Sequence, residues 1–259
     1  MKNRFDYERI LILGASGGLG GALARHYAGP GVHLSLWGRD TTRLTALAAA
    51  CRAAGATAEW RSLDLADLDA GVAALAEEET AGPIDLAIFA VGQGDIRAPG
   101  DRVERPELVA RLGMVNFTAP TTLAAALATH MTARGAGRIV LIGSAAAFHA
   151  LPFSAAYSAT KAGLARFADA LRLGVRDHGV TVTLVSPGFI DTAAGRRVPG
   201  PRPMLIQPEA AAARIARAAA AGKAHLILPW PFAVLRLFDR LLPRPMRDRL
   251  LSSLTPPDR

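Results

Sequence analysis

The strongest constraint on the fold is a regular alternation of short aliphatic runs with alanine-rich segments of helical length. Runs such as ILIL and IVLI are typical of strands that are buried on both faces. The predicted strands cover 8–14, 32–37, 56–64, 84–91, 137–144, 180–186 and 224–229, and the predicted helices cover 17–28, 41–54, 67–81, 104–133, 155–178 and 207–221. This order predicts an α/β fold, a doubly wound parallel sheet of about seven strands with helices on both faces.

A chain of 259 residues is long enough for one large α/β domain. We expect residues 1–228 to form that domain and residues 229–259 to form a C-terminal amphipathic extension packed on it. Residues 189–206 contain two glycines and three prolines, which predicts a long loop that can close over a site. In a sheet of this type, ligands bind at the carboxyl ends of the strands.

Composition restricts the compartment and the partners. The single cysteine, Cys51, excludes an intramolecular disulfide and a cysteine-based zinc site, and we predict no metal site and a reducing compartment, the cytoplasm being the simplest choice. Asp6, Glu8 and a short apolar run argue against a signal peptide. The net charge of +8 comes from scattered arginines, which favours solvated helix faces over a nucleic-acid-binding stripe.

A glycine cluster follows the first predicted strand. Gly14, Gly18 and Gly20 lie at the turn and at the start of the next helix, with Ser16 and Leu19 between them. Glycine lets backbone N–H groups approach a pyrophosphate, and the helix N-terminus supplies partial positive charge. A tight turn needs no ligand, but the placement after the first strand favours dinucleotide binding.

The end of the second strand bears on the choice of dinucleotide. A carboxylate there would bind an adenosine ribose and repel a 2′-phosphate, whereas this chain has Gly38 followed by Arg39. Arg39, with Arg43 one turn later, can pair with a 2′-phosphate, although an exposed arginine at a helix start is the alternative. We therefore expect NADP(H) to be favoured over NAD(H).

Tyr157 and Lys161 are four residues apart in a predicted helix, so their side chains share one face. The sequence contains only three tyrosines and three lysines, which makes a chance pairing rare. A phenol with a pKa near ~10 is a poor acid–base catalyst, and a neighbouring ammonium lowers that pKa. The pair predicts an acid–base site.

These motifs, together with three others, resemble the short-chain dehydrogenases/reductases over residues 8–228. The others are Ser144 at the end of the fifth strand, Asn116 in MVNFTAP, and SPGFIDT at 186–192. The resemblance implies a Rossmann-type fold in which Tyr157 is the acid, Ser144 polarises the substrate oxygen and Lys161 binds the nicotinamide ribose. It also implies that Asn116 holds a water that links Lys161 to solvent.

The resemblance further implies the remaining cofactor contacts. Pro187, Gly188, Ile190 and Thr192 would position the nicotinamide, and Asp64 and Leu65 would lie near the adenine. Two motifs depart from the family pattern. FAVG at 89–92 replaces Asn-Asn-Ala-Gly, so that Phe89 packs where an amide would bond, Ala90 borders the adenosine and Gly92 keeps the backbone close to the cofactor. Leu13 replaces a common threonine.

The predicted substrate pocket is mainly apolar, which favours a lipophilic ketone or acyl chain. Its expected members are Phe148, His149, Leu151, Phe153 and Phe189, with His149 read as a rim residue rather than a second base. Loop arginines Arg196, Arg197 and Arg202 fit either an anionic acyl-thioester substrate or a solvated loop. The tail at 229–254 repeats aliphatics with arginines, and we rank a lid or a subunit interface above a membrane-surface element.

We therefore predict an NADP(H)-dependent oxidoreductase that interconverts a carbonyl and a secondary alcohol on a small-molecule, lipophilic substrate. A 3-oxoacyl-thioester reductase is the alternative enzyme, and a catalytically silent cofactor-binding sensor or scaffold is the alternative from another class. A nucleic-acid-binding module is the weakest interpretation. The resemblance implies a homodimer or homotetramer formed through the helices at 104–133 and 155–178.

Overall fold

The computed structural model describes residues 7–94, 101, 103–197 and 200–253. Seven parallel strands form one sheet in the order β3-β2-β1-β4-β5-β6-β7. The strands are β1 Arg9–Leu13, β2 His33–Gly38, β3 Thr57–Ser62, β4 Leu86–Phe89, β5 Gly137–Ile142, β6 Val180–Pro187 and β7 His225–Leu228. The order reverses at β1 and β4, so the predicted doubly wound sheet is confirmed and its switch point lies between these strands.

Helices connect the strands and cover both faces of the sheet. They are α1 Gly18–Tyr27, α2 Thr41–Ala53, α3 Leu68–Ala81, α4 Pro106–Gly113, α5 Ala119–Arg134, α6 Ala155–Val175, α7 Ala193–Arg196, α8 Pro208–Ala220, α9 Pro231–Leu241 and α10 Arg244–Ser253. Short 3₁₀ segments lie at Ala145–Phe148 and Arg176–His178. Among the described residues, no helix is both long and apolar enough to cross a membrane.

The central strand shows why the sequence folds in two layers around the sheet. Ile10 and Ile12 of β1 belong to one buried cluster, whereas Leu11 and Leu13 belong to the other. Successive strand side chains point to opposite faces, so a continuous aliphatic run needs helices on both sides. Leu13, which departs from the family pattern, is fully buried and packs in the second cluster.

One predicted helix differs in the structure. The segment predicted as a single helix at 104–133 consists of α4, a π-helical segment at Met114–Thr118 and α5. Pro120 lacks the N–H that an α-helix would direct at the carbonyl of Asn116, and its ring crowds that carbonyl. A local widening of the helix relieves both problems, and it occurs at a residue predicted to serve the active site.

The extension contains the two short helices α9 and α10, with Pro243 between them. Phe232 and Leu251 are its buried residues. The side chains of Phe238, Asp239 and Arg240 and the residues 254–259 lie outside the described residues. The loop predicted at 189–206 contains α7 and a parallel bridge between Ile190 and Ile206.

Candidate active site

A cleft opens at the carboxyl ends of β1, β2 and β4, next to the switch point of the sheet. It is lined by residues from the glycine cluster, the ends of β2 to β4 and the π-helical segment: Gly14, Ser16, Gly17, Trp37, Gly38, Arg39, Leu63, Asp64, Leu65, Ala90, Val91, Gly92, Gln93 and Val115. Seven residues of the predicted cofactor site therefore meet in one cleft, namely Gly14, Ser16, Arg39, Asp64, Leu65, Ala90 and Gly92.

The glycine cluster makes a tight turn that side chains would obstruct. Gly14 has φ +83°, and a Cβ atom on it would lie 2.7 Å from the carbonyl oxygen of Ala90. A Cβ atom on Gly20 would collide with the carbonyl of Gly14. Gly17, the residue before α1, caps the helix without a side-chain hydrogen bond. The N–H groups of the first turn are therefore left for an anion. This cradle fits a pyrophosphate.

Ser16 and Leu19 complete the turn in different ways. The Ser16 side chain lies over Gly38, because a Cβ atom on Gly38 would lie 2.5 Å from Ser16 Oγ. Leu19 is partly buried against the core cluster beneath α1. Ser16 thus borders the cleft, whereas Leu19 anchors the helix that presents the N–H groups.

The segment after β6 crosses the N-terminus of α1. A Cβ atom on Gly18 would lie 2.5 Å from Thr192 Cγ2, and Thr192 Oγ1 accepts a 3.0 Å hydrogen bond from the N–H of Gly195. Pro187, the last residue of β6, pairs with Leu228, and the N–H of Gly188 donates to the carbonyl of Leu228 at 2.6 Å. These contacts fix the segment that is predicted to face a nicotinamide.

Three charged side chains meet at the end of the cleft where the adenosine is predicted to bind. Asp64 Oδ2 lies 3.2 Å from an Arg111 Nη atom and 4.0 Å from an Arg39 Nη atom. The pKa of Asp64 is lowered, first by the hydrogen bond from the N–H of Ala66 and also by Arg111. Arg39 is exposed and only loosely paired, which leaves its guanidinium accessible to a phosphate.

Arg43 is engaged elsewhere. Its Nε atom lies 3.1 Å from Asp40 Oδ2, and its backbone N–H is capped by the same carboxylate at 3.0 Å. The expected addition of Arg43 to the Arg39 patch therefore requires this pair to open. Leu65, the other residue predicted here, is buried in the second core cluster and its chain borders the cleft.

Tyr157 and Ser144 form the predicted catalytic pair. Ser144 acts on the Tyr157 hydroxyl as a polar partner that favours the phenolate, and Ser144 Oγ accepts a 3.1 Å hydrogen bond from the N–H of Ala146. Burial raises the pKa of Tyr157, and Ser144 opposes that rise. Tyr157 belongs to the first turns of α6, whose N-terminal Ala156 N–H is held at 2.9 Å by Glu104 Oε1.

The buried ammonium of Lys161 contacts the backbone at the end of β5. Lys161 is buried, its Nζ atom donates a 2.9 Å hydrogen bond to the carbonyl of Ile142, and it lies 6.0 Å from the centroid of the Tyr157 ring. Burial lowers the pKa of Lys161 to about 8. The expected lowering of the tyrosine pKa by Lys161 is not what this geometry gives, because burial dominates Tyr157 and Ser144 supplies the opposing effect.

Gly92 connects the two halves of the site. A Cβ atom on Gly92 would lie 3.1 Å from Lys161 Nζ and 3.6 Å from Asn116 Oδ1. Gly92 also lines the cleft described above. The Gly92 backbone therefore passes close to Lys161, which lies at the inner end of the cleft.

Asn116 binds the backbone next to Gly92. Its side chain is fully buried, and Oδ1 accepts a 2.7 Å bond from the N–H of Gln93 while Nδ2 donates a 2.8 Å bond to the Gln93 carbonyl. Nδ2 also lies 3.4 Å from Thr160 Oγ1 on α6. The amide is thus occupied with positioning the loop after β4.

Phe89 packs in the core, as predicted, at a position where an asparagine would form hydrogen bonds. It is buried in the second core cluster and pairs with Leu13 on β1 and Leu141 on β5. Ala90, the next residue, lines the cleft and donates its N–H to the carbonyl of Leu13 at 2.9 Å. The FAVG backbone is therefore tied to β1 at the point where it lines the cleft.

The tail contacts the side of the cleft where the substrate is expected. A Cβ atom on Gly188 would collide with the ring of Phe232, and the Arg236 guanidinium lies 5.1 Å from the centroid of the Phe148 ring. His225 Nε2 is 2.9 Å from Ser186 Oγ, and burial first, then Arg236, lowers the pKa of His225. Five residues are expected to line the substrate pocket, and each of them is half-buried: Phe148, His149, Leu151, Phe153 and Phe189.

Sequence reasoning missed three contributors to the site. Arg111 links Asp64 to Gln93 Oε1 at 3.1 Å, and Gln93 is itself the partner of Asn116. Arg236 reaches Phe148 from the tail. In a sequence rich in arginine, neither Arg111 nor Arg236 carries a distinguishing signal, whereas the amide of Gln93 directly after Gly92 offers a weak one.

Comparison with known proteins agrees with this geometry. Residues 8–200 match the family model described as short chain dehydrogenase. An uncharacterized oxidoreductase of Myxococcus xanthus (strain DK1622) is 33% identical over 250 residues, which is 94% of this chain and 96% of the relative. The bulky-bulky ketone specific alcohol dehydrogenase from Comamonas testosteroni superposes with a TM-score of 0.78 at 25% identity, covering 96% of both chains.

A second solved structure is the F189W variant of actinorhodin polyketide ketoreductase with NADPH. It superposes with a TM-score of 0.77 at 26% identity and covers 88% of this chain and 97% of its own. The chain belongs to the short-chain dehydrogenase/reductase family, whose members are oxidoreductases that act on CH–OH or carbonyl groups with NAD(P).

Proposed function

We propose that this enzyme interconverts a lipophilic ketone and its secondary alcohol with NADP(H), and that Tyr157 is its acid and base. The observation that carries the proposal is the position of Tyr157 beside the buried Lys161, at the end of the strand that leads to Ser144 and at the inner end of the glycine-lined cleft. An acid, an oxygen-polarising hydroxyl and a dinucleotide cradle are together what carbonyl reduction requires.

The residues that would hold the cofactor are those of the cleft. Gly14, Gly18 and Gly20 would admit the pyrophosphate against the N-terminus of α1, and Thr192 would face it from the opposite side. Lys161 would bind the nicotinamide ribose. When bound, NADP(H) supplies or accepts the hydride.

The protein supplies the proton chemistry. Ser144 donates a hydrogen bond to the substrate carbonyl oxygen and Tyr157 gives that oxygen its phenolic proton, so the alkoxide never accumulates. A raised pKa keeps Tyr157 protonated at neutral pH, which suits reduction. In the reverse direction the Tyr157 phenolate would remove the alcohol proton, and the ammonium of Lys161, on the same helix, would stabilise this phenolate.

Two features support a lipophilic ketone. The residues between Ser144 and Tyr157 include the half-buried Phe148, Leu151 and Phe153. A similar solved protein is described as specific for bulky-bulky ketones. A 3-oxoacyl thioester is the second substrate class, and a polyketide ketoreductase is among the similar solved structures, but Arg196 in the loop already pairs with Asp191 at 2.7 Å.

The preference for NADP(H) is proposed from Arg39. Its guanidinium is exposed and 4.0 Å from Asp64, so it can turn to a 2′-phosphate without breaking a strong pair. A paired titration with NADPH and NADH, followed by nicotinamide fluorescence, tests this without knowledge of the substrate. Arg39→Ala should weaken NADPH binding by about ten- to hundredfold and NADH binding much less.

Arg43→Ala is the matched control, since Arg43 is equally exposed but paired with Asp40. Equal losses of NADPH and NADH affinity in Arg39→Ala would disprove the phosphate role. For the chemistry, Tyr157→Phe should lower turnover of bulky ketones by ~100-fold or more while NADPH affinity stays within about twofold. Retained turnover would remove Tyr157 as the acid.

A further inference from the structure

The helix α9 presents an apolar stripe to solvent. Trp230, which immediately precedes the helix, and Val234, Leu237 and Leu241 are spaced by four, three and four residues, so they lie on one face. Their exposed fractions are 73%, 41%, 57% and 70%. A surface helix of a globular protein normally turns such a stripe toward the core, so the orientation of α9 is the reverse of the usual one.

The opposite face of α9 is the one that contacts the protein. Phe232 is 9% exposed and its ring packs on Gly188, and Arg236, one turn later, stacks on Phe148 and lies 3.3 Å from His225 Nδ1. An arginine is therefore directed inward while leucines are directed outward. Because the inward contacts fix the rotation of the helix, the apolar stripe is not available to the core.

The next helix continues the same chemistry. Met246 and Leu250 of α10 are one turn apart and 59% and 52% exposed, while Leu251 is buried. Arg244 and Arg249 of the same helix are also exposed. Because Arg236 is directed inward and Arg247 lies 3.3 Å from Asp248, Arg244 and Arg249 give the described part of this surface its net positive charge.

We propose that α9 and α10 bind to the surface of an anionic lipid bilayer. The stripe of Trp230, Val234, Leu237 and Leu241 would enter the headgroup region, and the arginines would pair with lipid phosphates. Tryptophan at the end of the stripe suits the interface, because its ring is apolar and its N–H remains hydrated.

Charge distinguishes a bilayer from a second copy of the chain. A two-fold interface would place the same patch on both subunits, so exposed arginines would face arginines around the apolar centre. Like charges in contact oppose association, whereas phosphates attract the same arginines. The patch is therefore complementary to an anionic surface and not to itself.

This binding would also orient the enzyme. Phe232 contacts Gly188 in the predicted nicotinamide segment, and Arg236 contacts Phe148 beside Ser144, so the bound helix lies next to the substrate end of the cleft. A lipophilic substrate would then reach the site from the bilayer. Only this consequence rests on the proposed function, since lipid binding is measured without any substrate.

The test is flotation of the purified full chain with vesicles of phosphatidylcholine alone and of phosphatidylcholine mixed with phosphatidylglycerol. We expect binding to the mixed vesicles that weakens as salt is raised, and a blue shift of tryptophan emission that is lost in Trp230→Phe. Leu237→Glu should weaken binding by about tenfold or more.

Val234→Glu and Val72→Glu form a matched pair, because each valine is 41% exposed and Val72 lies on α3, outside the tail. Only Val234→Glu should weaken binding, and melting temperatures show whether each variant is folded. Failure of the mixed vesicles to bind would overturn the proposal. So would equal binding of both vesicle types, or a concentration-dependent dimer that Leu237→Glu dissociates.

Discussion

The ammonium of Lys161 donates a 2.9 Å hydrogen bond to the carbonyl oxygen of Ile142, the last residue of β5. This bond holds a buried cation at the end of the strand that leads to Ser144. One hydrogen bond does not replace full hydration, and burial lowers the pKa of Lys161 to about 8. The lysine thus decreases stability while it is charged, which is a cost that a binding or catalytic role explains.

The first prediction concerns the pH dependence of stability. The folded pKa of Lys161 is lower than its value of 10.5 in the unfolded chain, so the unfolded state binds more protons above pH 8. Stability from this group therefore rises with pH, by about 1 kcal/mol between pH 7 and pH 9. The free energy of unfolding of the wild type, measured against Lys161→Met by urea denaturation, should show this gain. A difference that is constant across this range would contradict the lowered pKa.

The second prediction concerns the tether between Asn116 and Gln93. Asn116→Leu removes two hydrogen bonds of 2.7 and 2.8 Å at a buried position and leaves the Gln93 N–H and carbonyl without these partners. We expect a loss of about 2 to 4 kcal/mol in unfolding free energy and weaker cofactor binding. Asn116→Asp keeps the acceptor, and its carboxyl gains an O–H donor when it is protonated at low pH, so this variant should lose less stability there than Asn116→Leu. Wild-type stability in Asn116→Leu would show that the amide is not a tether.

Most of the site follows from the sequence because its residues occupy the ends of regular elements. The aliphatic runs determine the strands, and the order of the strands brings Gly14, Gly38 and Phe89 to one edge of the sheet. The spacing of Tyr157 and Lys161 on one helix is equally local. These predictions required no knowledge of side-chain contacts between distant segments.

What the sequence did not predict depends on such contacts. The π-helical segment at Met114–Thr118 reflects both Pro120 and the hydrogen bonds of Asn116 with Gln93. The bonds to Gln93 form only in the folded chain. Periodicity predicts a helix there but not its local widening. The outward orientation of the apolar face of α9 likewise depends on the contact of Phe232 with Gly188. The same sequence pattern would suit a buried helix.

The third prediction concerns the contact between the glycine turn and the segment after β6. A Cβ atom on Gly18 would lie 2.5 Å from Thr192 Cγ2, so Gly18→Ala should displace Thr192 and weaken NADPH binding by about tenfold. Gly17→Ala is the control, because its nearest contact would be 3.1 Å, to the carbonyl of Gly14. Adding Thr192→Ser removes the closest atom and should restore part of the affinity. Equal effects of the two single substitutions would argue against this contact.

The fourth prediction concerns the anchor of the tail. Phe232 is buried, and its removal leaves a cavity over Gly188. We expect Phe232→Ala to lower the unfolding free energy by about 3 to 5 kcal/mol if the tail unfolds with the domain. Leu241→Ala, at an exposed position of the same helix, should change it by less than about 0.5 kcal/mol. A small effect in Phe232→Ala, measured by urea denaturation, would mean that the tail detaches independently of the domain.

The last prediction concerns Arg111 and the choice of cofactor. Arg111 lies 3.2 Å from Asp64 Oδ2, and Arg39 lies 4.0 Å from the same oxygen, so the two arginines compete for one carboxylate. Arg111→Ala should let Asp64 draw Arg39 away from a 2′-phosphate, weakening NADPH by about five- to tenfold and NADH by less than about twofold. Asp64→Asn in the same chain removes the competing charge and should restore NADPH affinity. Both affinities are measured by nicotinamide fluorescence. Parallel losses for NADPH and NADH, or no recovery in the double variant, would show that Arg111 supports the cleft through Gln93 and not through the charge of Asp64.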